Sequence, residues 1–238
     1  MRAVGAAAAI TMGAVATWVG YAWVPHLTPR GRLRRGPAST SRVALTFDDG
    51  PDVQWTPLVL DILAKLGVSA SFFLIGERAR RAPGLVRAMA GAGHEIGNHS
   101  WSHRSLWLCS PTRTRFEVLH AHAALSDLAG QAPRFFRPPW GMLNAALPAA
   151  LRDCGERVVL WSIQPEGLVP VRAERQVDHV LRRASAGAIV DFHDAEGLAG
   201  APARLVAALP AIIGGLRAAG YEFATIGQLL TDSTRTGA

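Results

Sequence analysis

Cysteine, lysine and tyrosine are scarce in this chain of 238 residues, which has two Cys, two Tyr and one Lys, Lys65. Cys109 and Cys154 alone make neither a disulfide framework nor a Cys₄ zinc site, so they read as lone thiols, with a single disulfide as the alternative. The 24 Gly and 15 Pro follow no collagen or linker period, and there is no internal repeat. A chain that is 49% hydrophobic and 18% charged is too apolar to be disordered and too polar to be a polytopic membrane protein. Its length suits one large domain or two small ones, with enough chain to bury a core without disulfide or metal staples.

Acidic residues are absent from the first 40 positions, which hold Arg2, Arg30, Arg32, Arg34 and Arg35. The net charge is +7, but from residue 41 onward 20 basic residues face 18 acidic ones, a surplus of two. The basicity therefore belongs to an N-terminal arm and argues against a nucleic-acid partner for the body. Residues 3–24 carry no charge at all. About 20 apolar residues cross a bilayer as one helix. Residues 1–25 thus read as a membrane anchor or uncleaved signal segment, with Trp18, Tyr21 and Trp23 suited to the interface. Cleavage at the Ala14-x-Ala16 pattern, giving a secreted protein, is the alternative. An anchored chain would hold its body outside the cytoplasm. The four arginines after the span, against Arg2 before it, pull the other way under the positive-inside rule. Residues 26–41 read as a basic linker and 42–238 as the folded body.

Within the body, strand-like stretches at 43–47, 70–75, 94–97, 134–137, 158–162, 188–192 and 222–224 alternate with helical apolar spacing. The helical stretches are 56–66, 79–92, 112–129, 144–154, 173–185 and 201–219. This alternation predicts a parallel sheet covered by helices. A doubly wound sheet is one solution. A closed or nearly closed α/β barrel fits better, because polar residues of functional type cluster near the C-terminal ends of several strands.

Four clusters carry the candidate chemistry. Thr46-Phe47-Asp48-Asp49-Gly50-Pro51 ends an apolar strand with two carboxylates, costly without partners. His99 and His103, in Asn98-His99-Ser100-Trp101-Ser102-His103, stand at i and i+4, a spacing that lets two imidazoles on one helical turn share a metal ion. Arg137 lies between Phe135-Phe136 and Pro138-Pro139-Trp140-Gly141, held by rigid backbone as a clamp for a carboxylate or as a solvent-facing turn residue. Asp191 and His193 alternate along a late strand, so they face the same side. His120 and His122 read as ordinary surface residues, and His94 as a packing residue. Trp55, Trp101, Trp107 and Trp140 lie near these clusters and suit either sugar stacking or core packing.

Taken in order, TFDDGP, HSWSH, RPPWG and the late strand-end histidine resemble the polysaccharide deacetylase family (NodB homology domain, carbohydrate esterase family 4) over about residues 41–230. The resemblance implies a distorted (β/α)₇ barrel, preceded here by the N-terminal hydrophobic helix. It implies metal-dependent removal of N-acetyl groups from a carbohydrate such as peptidoglycan or another N-acetylhexosamine polymer. By the same resemblance Asp49, His99 and His103 would bind a divalent metal, usually zinc, although cobalt, nickel or iron suit the same donors. Asp48 would be the general base, Arg137 would hold it in position, the backbone N–H of Trp140 would face the oxyanion, and His193 would be the general acid.

Two departures stand out. The family's Asp-x-x-Asp-Trp motif is replaced by Gln164-Pro165-Glu166-Gly167-Leu168, so the carboxylate that supports the catalytic histidine is missing. The apolar residue expected two before that histidine is Asp191. Asp191 is expected to compensate by supplying the lost carboxylate to His193, with Glu166 as the second candidate. An O-acetyl esterase, a small-molecule amidase and a catalytically silent membrane-tethered glycan-binding domain are the competing functions.

Overall fold

The computed structural model describes residues 2–27, 31–167, 169–195 and 200–231. Helix α1 spans Arg2–Leu27. The strands are β1 Arg32–Leu33, β2 Arg42–Asp48, β3 Ser71–Leu74, β4 Glu95–Asn98, β5 Phe135–Phe136, β6 Arg157–Val159, β7 Ile189–His193 and β8 Glu222–Phe223. The remaining helices are α2 Thr56–Lys65, α3 Gly76–Arg81, α4 Pro83–Gly91, α5 Pro111–Ala129, α6 Leu147–Cys154, α7 Ala173–Arg183, α8 Ala201–Ala218 and α9 Ile226–Thr231.

All ladders are parallel, in the order β1-β6-β5-β4-β3-β2-β7, with β8 beside the start of β2. The far edges then meet. Ile163, just past β6, bridges Val190 in β7, and Gly36 N–H donates to Gly187 C=O at 2.7 Å. Gly187 has φ 72°, and a Cβ there would lie 2.5 Å from the Gly36 oxygen, so this seam requires glycine. The result is the irregular α/β barrel that the strand-end chemistry favours over a doubly wound sheet.

The two-residue period of a strand sorts the side chains. Along β2, Val43, Leu45 and Phe47 face the helices, where Phe47 stacks on Phe72 and Phe192 with ring centroids 4.9 and 5.7 Å apart. Each such burial is worth about 1.5–3 kcal/mol. Ala44 faces inward among Phe73, Val159 and Ile189, and the same alternation turns Thr46 and Asp48 inward. Helix α8 is long and apolar enough to cross a membrane by composition. Its Leu205, Leu209, Ile212, Ile213 and Leu216 are fully buried in the core, which accounts for that apolarity.

Three expectations are corrected. The stretch 79–92 is two helices, broken where Pro83 forces Ala82 out of helical geometry (φ −129°, ψ 56°). The strand at 158–162 is shorter, Arg157–Val159, because the chain beyond it swings across to β7. Residues 32–33, inside the expected linker, form β1 and pair with Val158 and Val159. Leu33, a lone apolar residue among arginines, gave no periodic signal, and the open edge of β6 supplies its partner. Cys109 and Cys154 are free thiols. Helix α1 touches the body through Trp18 Nε1–H to Trp107 C=O and Tyr21 O–H to Cys109 C=O, both at 2.9 Å.

Candidate active site

The C-terminal ends of β2, β4, β5 and β7 converge on a cleft of about 600 Å³ whose lining includes Asp49, His103, Trp140, Glu166 and His193. Among the described residues four non-glycines have positive φ: Asp49 (72°), Ser100 (68°), His103 (55°) and Trp140 (53°). All four belong to the motif clusters. Such backbone costs about 1–3 kcal/mol per residue and persists only where surrounding contacts over-determine it.

Those contacts are present. Asn98 Oδ1 accepts from Ser100 N–H at 2.9 Å, and Ser100 Oγ accepts from His103 N–H at 3.1 Å. The fully buried Glu117 on α5 accepts from Ser102 N–H and Oγ–H at 2.8 and 2.7 Å. His99 and His103 are therefore not on a helical turn, as the i, i+4 spacing suggests. A left-handed turn brings their rings to 5.0 Å between centroids. His99 Nε2 lies 3.3 Å and His103 Nε2 3.0 Å from Asp49 Oδ1.

This trio fits a divalent cation. Asp49 Oδ1 is buried and makes no hydrogen bond among the described residues, and the three donor atoms lie within 4.8 Å of one another. His99 Nδ1 is 2.7 Å from Arg137 C=O, which fixes the proton there and leaves the Nε2 lone pair for a ligand bond. Against the cost of burial, His103 and His99 hold the Asp49 carboxyl far below the usual carboxylate range.

Arg137, fully buried, ties the inward-facing residues together. Its Nη1 donates to Thr46 Oγ1 at 2.8 Å and to Asp48 Oδ1 and Asp191 Oδ1, both at 2.7 Å. Its guanidinium lies over the Phe73 ring, 4.1 Å from the centroid. Asp48 is thus gripped through one oxygen, and its Oδ2 points toward His99 Nε2, 3.8 Å away. Asp191 is buried under Arg137 and does not line the cleft. Burial and the nearby Asp48 push its carboxyl up to about 8.

The partner of His193 corrects the sequence-based order of candidates. Its Nδ1 is bonded to Glu166 Oε2 at 2.5 Å, while Asp191 turns to Arg137. Burial disfavours the charged imidazole, yet the Glu166 carboxylate outweighs it and raises the His193 pKa to about 10. Asp191 is the lesser influence on it, and the group in contact with the imidazole is Glu166. Its place on an irregular loop beyond β6 hid this from strand-face reasoning. The next residue, Asp194, is also buried; burial raises it to about 7, and Thr56 Oγ1–H donates to it at 2.5 Å.

Of the four tryptophans, Trp140 is 56% exposed at the cleft, with its ring 4.4 Å from that of His103. Trp101 packs on His120 and Trp107 on α1 residues. Trp140 N–H makes no hydrogen bond among the described residues. Sequence reasoning also missed Glu117 and the pairing of buried Glu156 with His122, which is half-buried rather than an ordinary surface residue. A lone acid within an apolar helix stripe was the available signal for Glu117.

A family model described as polysaccharide deacetylase matches residues 35–159, which ends before His193. A peptidoglycan-N-acetylglucosamine deacetylase of Bacillus cereus is 34% identical over 217 residues, covering 91% of this chain and 77% of the relative. A chitooligosaccharide deacetylase of Bradyrhizobium sp. is 39% identical over 158 residues, covering 66% and 72%. The crystal structure of a peptidoglycan N-acetylglucosamine deacetylase in complex with a naphthyl-substituted N-hydroxybenzamide superposes with a TM-score of 0.79 at 35% identity, covering 84% of this chain and 93% of that one. With the barrel, the cleft and these matches agreeing, the chain belongs to the polysaccharide deacetylase family.

Proposed function

We propose that the protein is a metal-dependent hydrolase that removes N-acetyl groups from an envelope glycan, peptidoglycan or another N-acetylhexosamine polymer. The observation that carries this reading is three kinds of group gathered at one cleft and directly beneath it: the Asp49–His99–His103 trio, the Arg137-clamped Asp48, and the Glu166-bonded His193. A divalent ion, most simply zinc, would be held by the trio and would supply the Lewis acidity that makes water a nucleophile near neutral pH. Cobalt, nickel and iron suit the same donors.

Asp48, fixed by Arg137, accepts the proton of the attacking water. Trp140 N–H, free of other hydrogen bonds among the described residues, stabilises the oxygen charge that develops on the acetamide carbonyl. His193 enters protonated, because Glu166 raises its pKa, and donates to the leaving amine as the C–N bond breaks. Water and acetamide thus become acetate and a free amine. The substrate is an acetylated carbohydrate, with Trp140 as a stacking face at the cleft.

Residues 3–24, free of charge and within α1, serve as a membrane anchor in this reading, with residues 42–238 as the catalytic domain outside the cytoplasm. Trp23, Val24 and Leu27 are exposed on α1, as a membrane-facing surface requires. The test is acetate release by the full chain, in detergent with zinc or cobalt, from N-acetylglucosamine oligomers and peptidoglycan, with Asp49→Ala as blank. Release lost in the blank supports the function. No release despite bound metal overturns it in favour of the silent glycan-binding reading, and release only from O-acetylated substrates favours the esterase. Alkaline extraction of membranes tests the anchor, and recovery of the chain in the soluble fraction refutes it.

A further inference from the structure

Behind the metal-binding turn lies a polar chain, buried except at His122, that the catalytic reading does not use. His122 on α5 bonds through Nδ1 to Glu156 Oε1 at 2.7 Å. Both Glu156 oxygens accept from Asn98 Nδ2 at 3.1 Å, and the same Nδ2 also donates to Val118 C=O at 3.0 Å. Asn98 is fully buried and ends β4, one residue before His99. Its Oδ1 receives Ser100 N–H, its backbone C=O receives Arg137 N–H at 2.9 Å, and Arg137 C=O in turn fixes His99 Nδ1 at 2.7 Å.

The amide orientation of Asn98 follows from this arrangement. A carboxylate is acceptor-only, so Glu156 can face only the NH₂ side of Asn98. Val118 C=O makes the same demand, which leaves Oδ1 toward Ser100. If the amide flipped, Oδ1 would face two acceptors and Ser100 would lose its partner. Ser100 is left-handed and begins the turn that returns His103 to Asp49. Glu156 in turn keeps its place through His122: burial raises the Glu156 carboxyl, and the imidazole opposes that rise.

We propose that His122 and Glu156 are positioning residues that lock the Asn98 amide and, through it, the turn presenting His99 and His103 to the metal. The inference rests on the proposed metal site and concerns groups that touch neither metal nor substrate. Residues supporting metal ligands from behind typically contribute about ten- to a hundredfold in metal affinity.

The experiment is competition titration of zinc or cobalt into the full-length protein and its variants, with far-UV circular dichroism as the check on folding. Glu156→Ala removes the acceptor and is expected to weaken metal binding about tenfold while the metal-free spectrum is retained. Glu156→Gln keeps a side-chain carbonyl for Asn98 Nδ2 and is expected to restore most of that loss. Asn98→Asp keeps the acceptor for Ser100 but sets a carboxylate against Glu156, and is expected to lose at least as much as Glu156→Ala. Wild-type affinity in folded Glu156→Ala overturns the proposal. If Glu156→Ala does not fold, unchanged affinity in Asn98→Asp overturns it instead. Failure of the wild type to bind metal is a different outcome, which removes the metal-site reading itself.

Discussion

Replacing Glu166 by Gln keeps the size of the side chain but deletes the charge that holds His193 protonated. The bond is 2.5 Å long and the carboxylate only 8% exposed, so water screens it little. Hydrogen bonds to charged groups in such settings are worth about 1.5–3 kcal/mol. One pKa unit corresponds to about 1.4 kcal/mol. The imidazolium, raised to about 10 with Glu166 present, should therefore lose its proton about one to two units earlier in the variant. With His193 as the proposed acid, activity falls on the alkaline side as it deprotonates. A bound divalent cation adds positive charge nearby and pulls that limb down in both proteins, so the prediction is the difference between them. The assay is kcat/KM for acetate release across the alkaline range. Alkaline limbs that coincide in wild type and Glu166→Gln would refute the assignment. A larger shift in Asp191→Asn than in Glu166→Gln would return the supporting role to Asp191.

Asp49→Ala should abolish stoichiometric zinc binding, read by metal analysis after gel filtration, and reduce acetate release to the blank rate. Arg137→Ala takes the shared cation and hydrogen-bond donor from the buried Asp48 and Asp191, and unfolding in urea should show a loss of about 3–5 kcal/mol, as for other broken buried ion pairs. Gly50→Ala would place a Cβ 2.6 Å from Asp194 Oδ1. It should cost about 1–3 kcal/mol by overpacking, read from the same urea midpoints. In metal-free protein, Asp194 and Asp191 keep protons up to about 7 and 8 that the unfolded chain releases near 3.8. The folded state then binds more protons, so stability should fall as pH rises from about 4 to 8. The raised His193 acts in the same sense at higher pH: its contribution is complete below about 6.5 and lost as pH climbs through about 10. Thermal midpoints against pH would show both, and Glu166→Gln should flatten the upper part.

The sequence alone determined most of the element order, β1 and the break at Pro83 excepted, because apolar periodicity and punctuating glycines are local signals that survive without neighbours. It also determined which residues meet in the cleft, since strand-end motifs in a parallel barrel all emerge at one face. Asp48, Asp49, His99, His103, Arg137, Trp140, Asp191, His193 and Glu166 do converge there or directly beneath it. The pairing within that set was decided only by tertiary structure. Asp191 shares a strand face with His193, yet Arg137, delivered from β5, captures it first, and an irregular loop with no periodicity carries Glu166 to the imidazole. The left-handed turn that gathers the two histidines, the β1 strand inside the basic segment, and the His122–Glu156 pair behind Asn98 share one origin. Each depends on a partner distant in the chain, and a hydrogen bond between His122 and Glu156, 34 positions apart, or from Leu160 N–H to Leu33 C=O, 127 apart, leaves no trace in local spacing.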